Sequence, residues 1–144
     1  MKISTKGQYA LLIMTELAEQ PVDKFIPLKL LSHRHNLSIK YLEQILMLLR
    51  QGGFVRAVKG QHGGYLLAKS PEIIRIADVL DILDNSILAD AAEIEADTGI
   101  RPSVKSCLWD HMNACLRCFA EHLTLYDFLE LQKEKAASGD FYSI

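Results

Sequence analysis

The stretch SIKYLEQILMLLRQGGFVRAVKGQHGGYLLAKSP, residues 38–71, decides the fold of this 144-residue chain. Its opening carries Leu42, Ile45, Leu46 and Leu49 at three- and four-residue steps, the spacing that lines one face of an α-helix from 39 to 51. Ser38 stands at the N-cap position, and Gly52 and Gly53 release the helix at its other end. Two short β-prone runs follow, 54–58 and 65–68, around a tip holding Gly60, Gly63 and Gly64, which predicts a hairpin.

Upstream, Pro27 opens a short helix that ends near His35 and Asn36, with Leu28, Leu30 and Leu31 facing inward. Only about three residues separate it from the helix at 39, which is the spacing of a helix-turn-helix. A first helix, capped by Ser4 or Thr5 and running to about residue 19, places Tyr9, Ala10, Ile13, Met14 and Leu17 on one face; Pro21 and Asp23 end it. A hairpin directly after a helix-turn-helix is a wing. The expected fold class is therefore mainly α, a winged helix-turn-helix with a small β-hairpin wing and a long C-terminal helix.

Downstream, a short amphipathic helix is expected at 76–83, then an acidic connection at 84–103 with one helical turn around 91–95. A long helix from about 103 to 121 and another from 124 to about 136 follow, and 139–144 is expected to fray. The long helix carries Val104, Leu108, Met112, Cys115, Phe119 and Leu123 in a stripe with no partner elsewhere in so small a chain. Its expected partner is the same helix of a second subunit, with Leu108, Met112, Cys115, Phe119 and Leu123 forming a homodimer interface. The implied organisation is a DNA-binding domain at 1–70, a connecting helix and acidic segment at 71–103, and dimerisation helices at 104–144 that pack back on the winged domain.

Charge is distributed unevenly. Residues 1–69 hold ten Lys/Arg against four Asp/Glu, a formal +6, whereas 70–144 hold six against fourteen, a formal −8. The first half is suited to a polyanion and the second is not. No 18-residue apolar run could span a bilayer, and residues 1–7 are polar rather than signal-like, so the expected location is the cytoplasm with no membrane partner. An enzyme is not expected, because no nucleophile stands with a positioned base. The glycine-rich tip lacks the strand-loop-helix order and Lys-Ser/Thr signature of a phosphate-binding loop.

The helix at 39–51 turns Ser38, Lys40, Tyr41, Glu43, Gln44 and Arg50 away from its apolar face. Gln44 is suited to adenine, Glu43 to cytosine, and Ser38 and Tyr41 to phosphates or bases. The wing tip, Lys59, Gln61 and His62, is placed to enter a minor groove, and Lys2 and Lys6 add backbone contacts. His33 and His35 are read as surface residues. The expected partner is double-stranded DNA; the alternative is a winged-helix protein-interaction module that does not bind DNA.

The segments MKISTKGQYAL, SIKYLEQIL with LRQGGFV, VKGQHGGYLLAKSP, RIADVLDIL and LTLYDFLE closely resemble the Rrf-two family of bacterial transcriptional regulators. The resemblance spans nearly the whole chain except 84–103. It implies a dimer crossed at the long helix, a palindromic operator, base or groove contacts from Ser38, Tyr41, Glu43 and Gln44, and a minor-groove contact near Lys59. Cluster-binding members of that family carry three cysteines in the loop before the long helix. Here residues 84–106 contain no cysteine; Cys107 adjoins Trp109, and Cys115 and Cys118 fall within the helix. A three-cysteine iron-sulfur site therefore does not transfer.

At about 100° per residue, Cys107, His111, Cys118 and His122 fall within about 60° of one another on the long helix, with Cys115 about 20° beyond. Cys107 and Cys118 are about 16 Å apart along a straight axis, too far to share one ion. Cys115 and Cys118 with His111 or His122 form local sets suited to zinc, and a [2Fe-2S] cluster between subunits fits the same geometry less well. Four readings stay open at this stage: apolar packing with no cofactor, a thiol sensor, zinc, or an iron-sulfur cluster.

Overall fold

In the computed structural model, the structure describes residues 3–83, 108 and 110–139. Helix α1 spans Thr5–Glu19, and the Ser4 hydroxyl accepts a hydrogen bond from the Gly7 amide at 3.1 Å, satisfying a donor that the helix itself leaves open. Helix α2 spans Leu28–His35 and ends at Asn36 in the left-handed conformation. Helix α3 spans Ile39–Gln51, capped by Ser38, whose hydroxyl accepts from the Tyr41 amide at 3.2 Å. These three bounds match the apolar spacing read from the chain.

The core joins all three helices. Ala10, Ile13 and Met14 of α1, Leu31 of α2, and Leu42, Ile45, Leu46 and Leu49 of α3 are fully buried in one cluster. Each large side chain so buried contributes roughly 1.5–3 kcal/mol relative to exposure. Leu30 departs from the expected inward triad: it is exposed, while Leu28 is only partly buried and Leu31 alone on α2 is buried. The reason is the helix period. Residues 28 and 31 share a face, and 30 lies about 100° from 31.

Strands β1 (Val55–Val58) and β2 (Gly64–Leu67) pair antiparallel with Val55 opposite Leu67 and Val58 opposite Gly64. Val55 and Leu66 turn into the protein and Arg56 out of it. The hairpin is anchored by a bridge that the sequence did not reveal: Ile26 and Tyr65 exchange two backbone hydrogen bonds of 2.9 Å. This approach requires Gly64, since a Cβ there would stand 2.4 Å from the Ile26 carbonyl oxygen.

A 3-10 turn at Pro71–Ile73, not foreseen from the sequence, leads to α4 (Ile76–Leu83), which buries Ile76, Ala77, Val79, Leu80 and Leu83. Helix α5 is Asp110–His122 and α6 is Leu125–Ser138. The expected connection at 84–103, the first turns of the long helix, and 140–144 of the fraying tail lie outside the described residues. A bridge between Arg75 and Thr124 ties the start of α4 to the start of α6, and Leu125 enters the same core as α1 and α4. The two helices after the acidic segment are thus fastened to the winged body at their junction.

Candidate nucleic-acid interface

Helix α3 shows how one helix both completes a core and offers a reading face. Its four buried residues fix its rotation, so Lys40, Glu43, Gln44 and Arg50 are exposed, as is Ser38 at its cap. Tyr41 is different: it is half-buried, its ring meeting Tyr9 edge-on at 6.2 Å between centroids, so it braces α3 against α1 as well as reaching its rim. Met47 and Ile39 are also exposed on α3, and the sequence did not single them out. Met47 carried a signal, an apolar side chain off the 42-45-46-49 stripe, and it shares the exposed face of Lys40, Glu43 and Gln44, whereas Ile39 falls within about 20° of Leu46 and carried none. A methionine there is suited to the apolar contact that a thymine methyl group offers.

The wing tip projects freely. Lys59, Gln61 and His62 are exposed, and Gly60 takes a φ of 120°, a conformation open to glycine and few other residues. Lys6 is half-buried on the first turn of α1, and Lys2 lies outside the described residues. His33 is exposed, but His35 is not a simple surface residue: it is half-buried, and its Nε2 lies 2.5 Å from a Glu16 carboxylate oxygen. Arg34 pairs with the other oxygen of that carboxylate. Together these contacts clamp α2 to α1 and so hold the turn that positions α3.

The second group of interest is on α5. No residue of that helix is buried. Leu108 just before it is 48% exposed, Met112 46% and Phe119 65%, and Cys115 is exposed as well. Leu123 departs from this set, because it is half-buried and packs against the chain's own core. His111 Nε2 lies 3.8 Å from Cys115 Sγ, and His122 Nδ1 lies 3.7 Å from Cys118 Sγ. Among the described residues, no group of three or more His, Cys, Asp or Glu side chains converges on a common point. Cys107 is outside the described residues.

A helix-turn-helix packed on its own core, an exposed polar face on its second helix and a projecting wing define a protein of the winged-helix class. The chain belongs to the Rrf2 family, described as iron-dependent transcriptional regulators, which matches residues 3–131. The solved structure of CymR, the global cysteine regulator of B. subtilis, is similar with a TM-score of 0.78 and 34% identity, covering 91% of this chain and 98% of that one. The structure of T. potens IscR is similar with a TM-score of 0.71 and 31% identity, over 93% of this chain and 90% of that one. The curated regulator IscR of Cereibacter sphaeroides is 32% identical over 136 residues, 90% of this chain and 88% of its own length.

An iron-sulfur cluster of the kind held by three loop cysteines does not fit this chain. No cysteine occurs in residues 84–106, and the two described cysteines, Cys115 and Cys118, stand on consecutive turns of α5, each beside a histidine. Among the described residues, no helix is long and apolar enough to cross a membrane.

Proposed function

We propose that the chain is a cytoplasmic homodimeric repressor whose two winged units occupy the halves of a palindromic operator and whose affinity responds to a redox, metal or small-molecule signal received near α5. The observation that carries this reading is the exposure, within the basic half, of both the outward face of α3 and the tip of the wing. In the operator complex, Gln44 and Glu43 read base edges from the major groove, Ser38, Tyr41, Lys40 and Arg50 fix the register, and Lys59, Gln61 and His62 follow the minor groove. Lys2 and Lys6 hold the adjoining backbone. The unpartnered face of α5, with Leu108, Met112, Cys115 and Phe119, supports pairing through that helix.

Anisotropy titration of a labelled duplex at several salt concentrations tests the reading. Each phosphate contacted is expected to add about −0.9 to the slope of log affinity against log salt. Lys59→Ala should reduce that slope by about one contact and weaken binding evenly across sequences. Binding that ignores salt would instead identify a protein-interaction module built on the winged-helix frame.

A further inference from the structure

Helix α5 carries four chemically capable side chains that DNA binding leaves unused. Its half-buried residues, Asn113, Leu116, Arg117 and Ala120, lie on the side toward the chain's own body. His111, Cys115, Cys118 and His122 are all exposed and lie on the opposite side, within about 60° of one another. They form two pairs, each spanning one helical turn, as do the paired ligands that some helices present to zinc.

The geometry of the first pair suits a metal. With Zn–S of about 2.3 Å and Zn–N of about 2.0–2.1 Å, two ligands on one tetrahedral ion are about 3.6 Å apart. Cys115 Sγ and His111 Nε2 stand at 3.8 Å before any ion is added. A second, independent observation concerns His122, whose Nδ1 lies 2.7 Å from the Cys118 carbonyl oxygen. A carbonyl only accepts, so Nδ1 holds the proton and the Nε2 lone pair is left for a ligand. Metal-binding histidines are commonly oriented in this way.

Each pair is half of a tetrahedral set, and one chain does not bring a third ligand to either among the described residues. The sequence supplies the completion. The four residues read His-x3-Cys-x2-Cys-x3-His from 111 to 122, the same spacing in both directions. Two copies of α5 packed antiparallel about the midpoint between Cys115 and Cys118 set the first pair of each copy against the second pair of the other. Exposed Met112 and Phe119 flank this face and supply the apolar contact.

We propose that paired α5 helices bind two zinc-class divalent cations, each held by His111 and Cys115 of one subunit and by Cys118 and His122 of the other. The inference rests on the proposed pairing through α5 and names the signal received there. On binding, each thiol releases its proton to solvent and its thiolate donates to the ion; no electron is transferred. Thiolate and imidazole together select zinc over magnesium or calcium. Occupied sites fasten the seam and so fix the spacing of the two wings.

The test is native mass spectrometry of the full chain, stripped with chelator and then titrated with zinc, alongside absorption spectra with cobalt(II) in its place. Two ions per dimer and thiolate-to-cobalt charge transfer with tetrahedral bands are expected. Because every site uses both thiols, Cys115→Ser and Cys118→Ser should each weaken both sites at least tenfold, while Cys107→Ser leaves them intact. Uptake unchanged in the Cys115→Ser, Cys118→Ser double variant, or a cobalt spectrum without thiolate charge transfer, overturns the proposal. The same spectra separate it from the pairing itself: a metal-free dimer that takes up no zinc removes only the site, whereas a chain that stays monomeric with zinc removes both.

Discussion

Helices α3 and α5 are both thirteen residues long, and they are finished in opposite ways. In α3 four apolar residues, Leu42, Ile45, Leu46 and Leu49, meet partners within the chain with no solvent exposure, and the opposite face, polar but for Met47, is left for DNA. In α5 nothing is buried, and the apolar residues Met112 and Phe119 face solvent beside two cysteines and two histidines. A helix whose stripe is satisfied internally can present chemistry outward without losing its place. A helix whose stripe is not satisfied gains its final environment only from another molecule.

The sharpest way to break this contrast is to truncate each apolar stripe in turn. Leu46→Ala, at a position with no exposure, should cost about 2–5 kcal/mol in denaturant unfolding. A loss below about 1 kcal/mol would mean α3 is not held by its own core. Phe119→Asp should leave secondary structure intact and weaken the dimer by about 3–5 kcal/mol, since a carboxylate would be buried at the seam without a partner. Sedimentation at micromolar concentration reads this directly, and an unchanged dimer mass would place the interface elsewhere.

Substitutions on the DNA-facing side of α3 and at the cap of α6 have smaller effects. Gln44→Ala should lose about 1–3 kcal/mol of discrimination among operator variants; an unchanged preference order would show that Gln44 reads no base. The smallest effect concerns Asp127 at the start of α6. Its amide donates to the Thr124 hydroxyl at 3.1 Å and its carboxylate accepts from the Thr124 amide at 3.0 Å; hydrogen bonding from the Thr124 amide, and then from its side chain, holds the carboxyl below the ordinary value of 3.8. The charged form is favoured by folding, so this contribution is complete above the ordinary aspartate range and is lost as pH falls through and below it. The stability difference between the natural chain and Asp127→Ala should therefore shrink in acid, and a difference that holds constant there would contradict the capping role.

Much of the winged half was legible because local rules and the final core agree. The stripe 42-45-46-49, the cap at Ser38 and the glycines after Gln51 all pointed to one helix, and its observed bounds are the same. What escaped was set by contacts distant in sequence. Nothing near Gly64 announces that its backbone must lie against Ile26, and nothing near Tyr41 announces Tyr9. His35 looked like a surface residue because Glu16, nineteen residues away, is its partner. In the C-terminal half, periodicity alone grouped Leu123 with Phe119, yet the first packs on its own chain and the second faces outward. Spacing identifies a face, not which molecule covers it. The cysteines show the same limit: their positions were plain, but the proton on His122 Nδ1 became readable only from the Cys118 carbonyl beside it.

The central claim, that two winged units joined through α5 read one duplex, is tested most directly by selecting bound sequences from a random pool of duplex DNA. Enrichment of a motif made of two inverted half-sites at fixed spacing is expected, and its loss when Phe119→Asp protein is used for the selection. Enrichment of a single undivided half-site by the natural chain, or no enrichment at all, would contradict it.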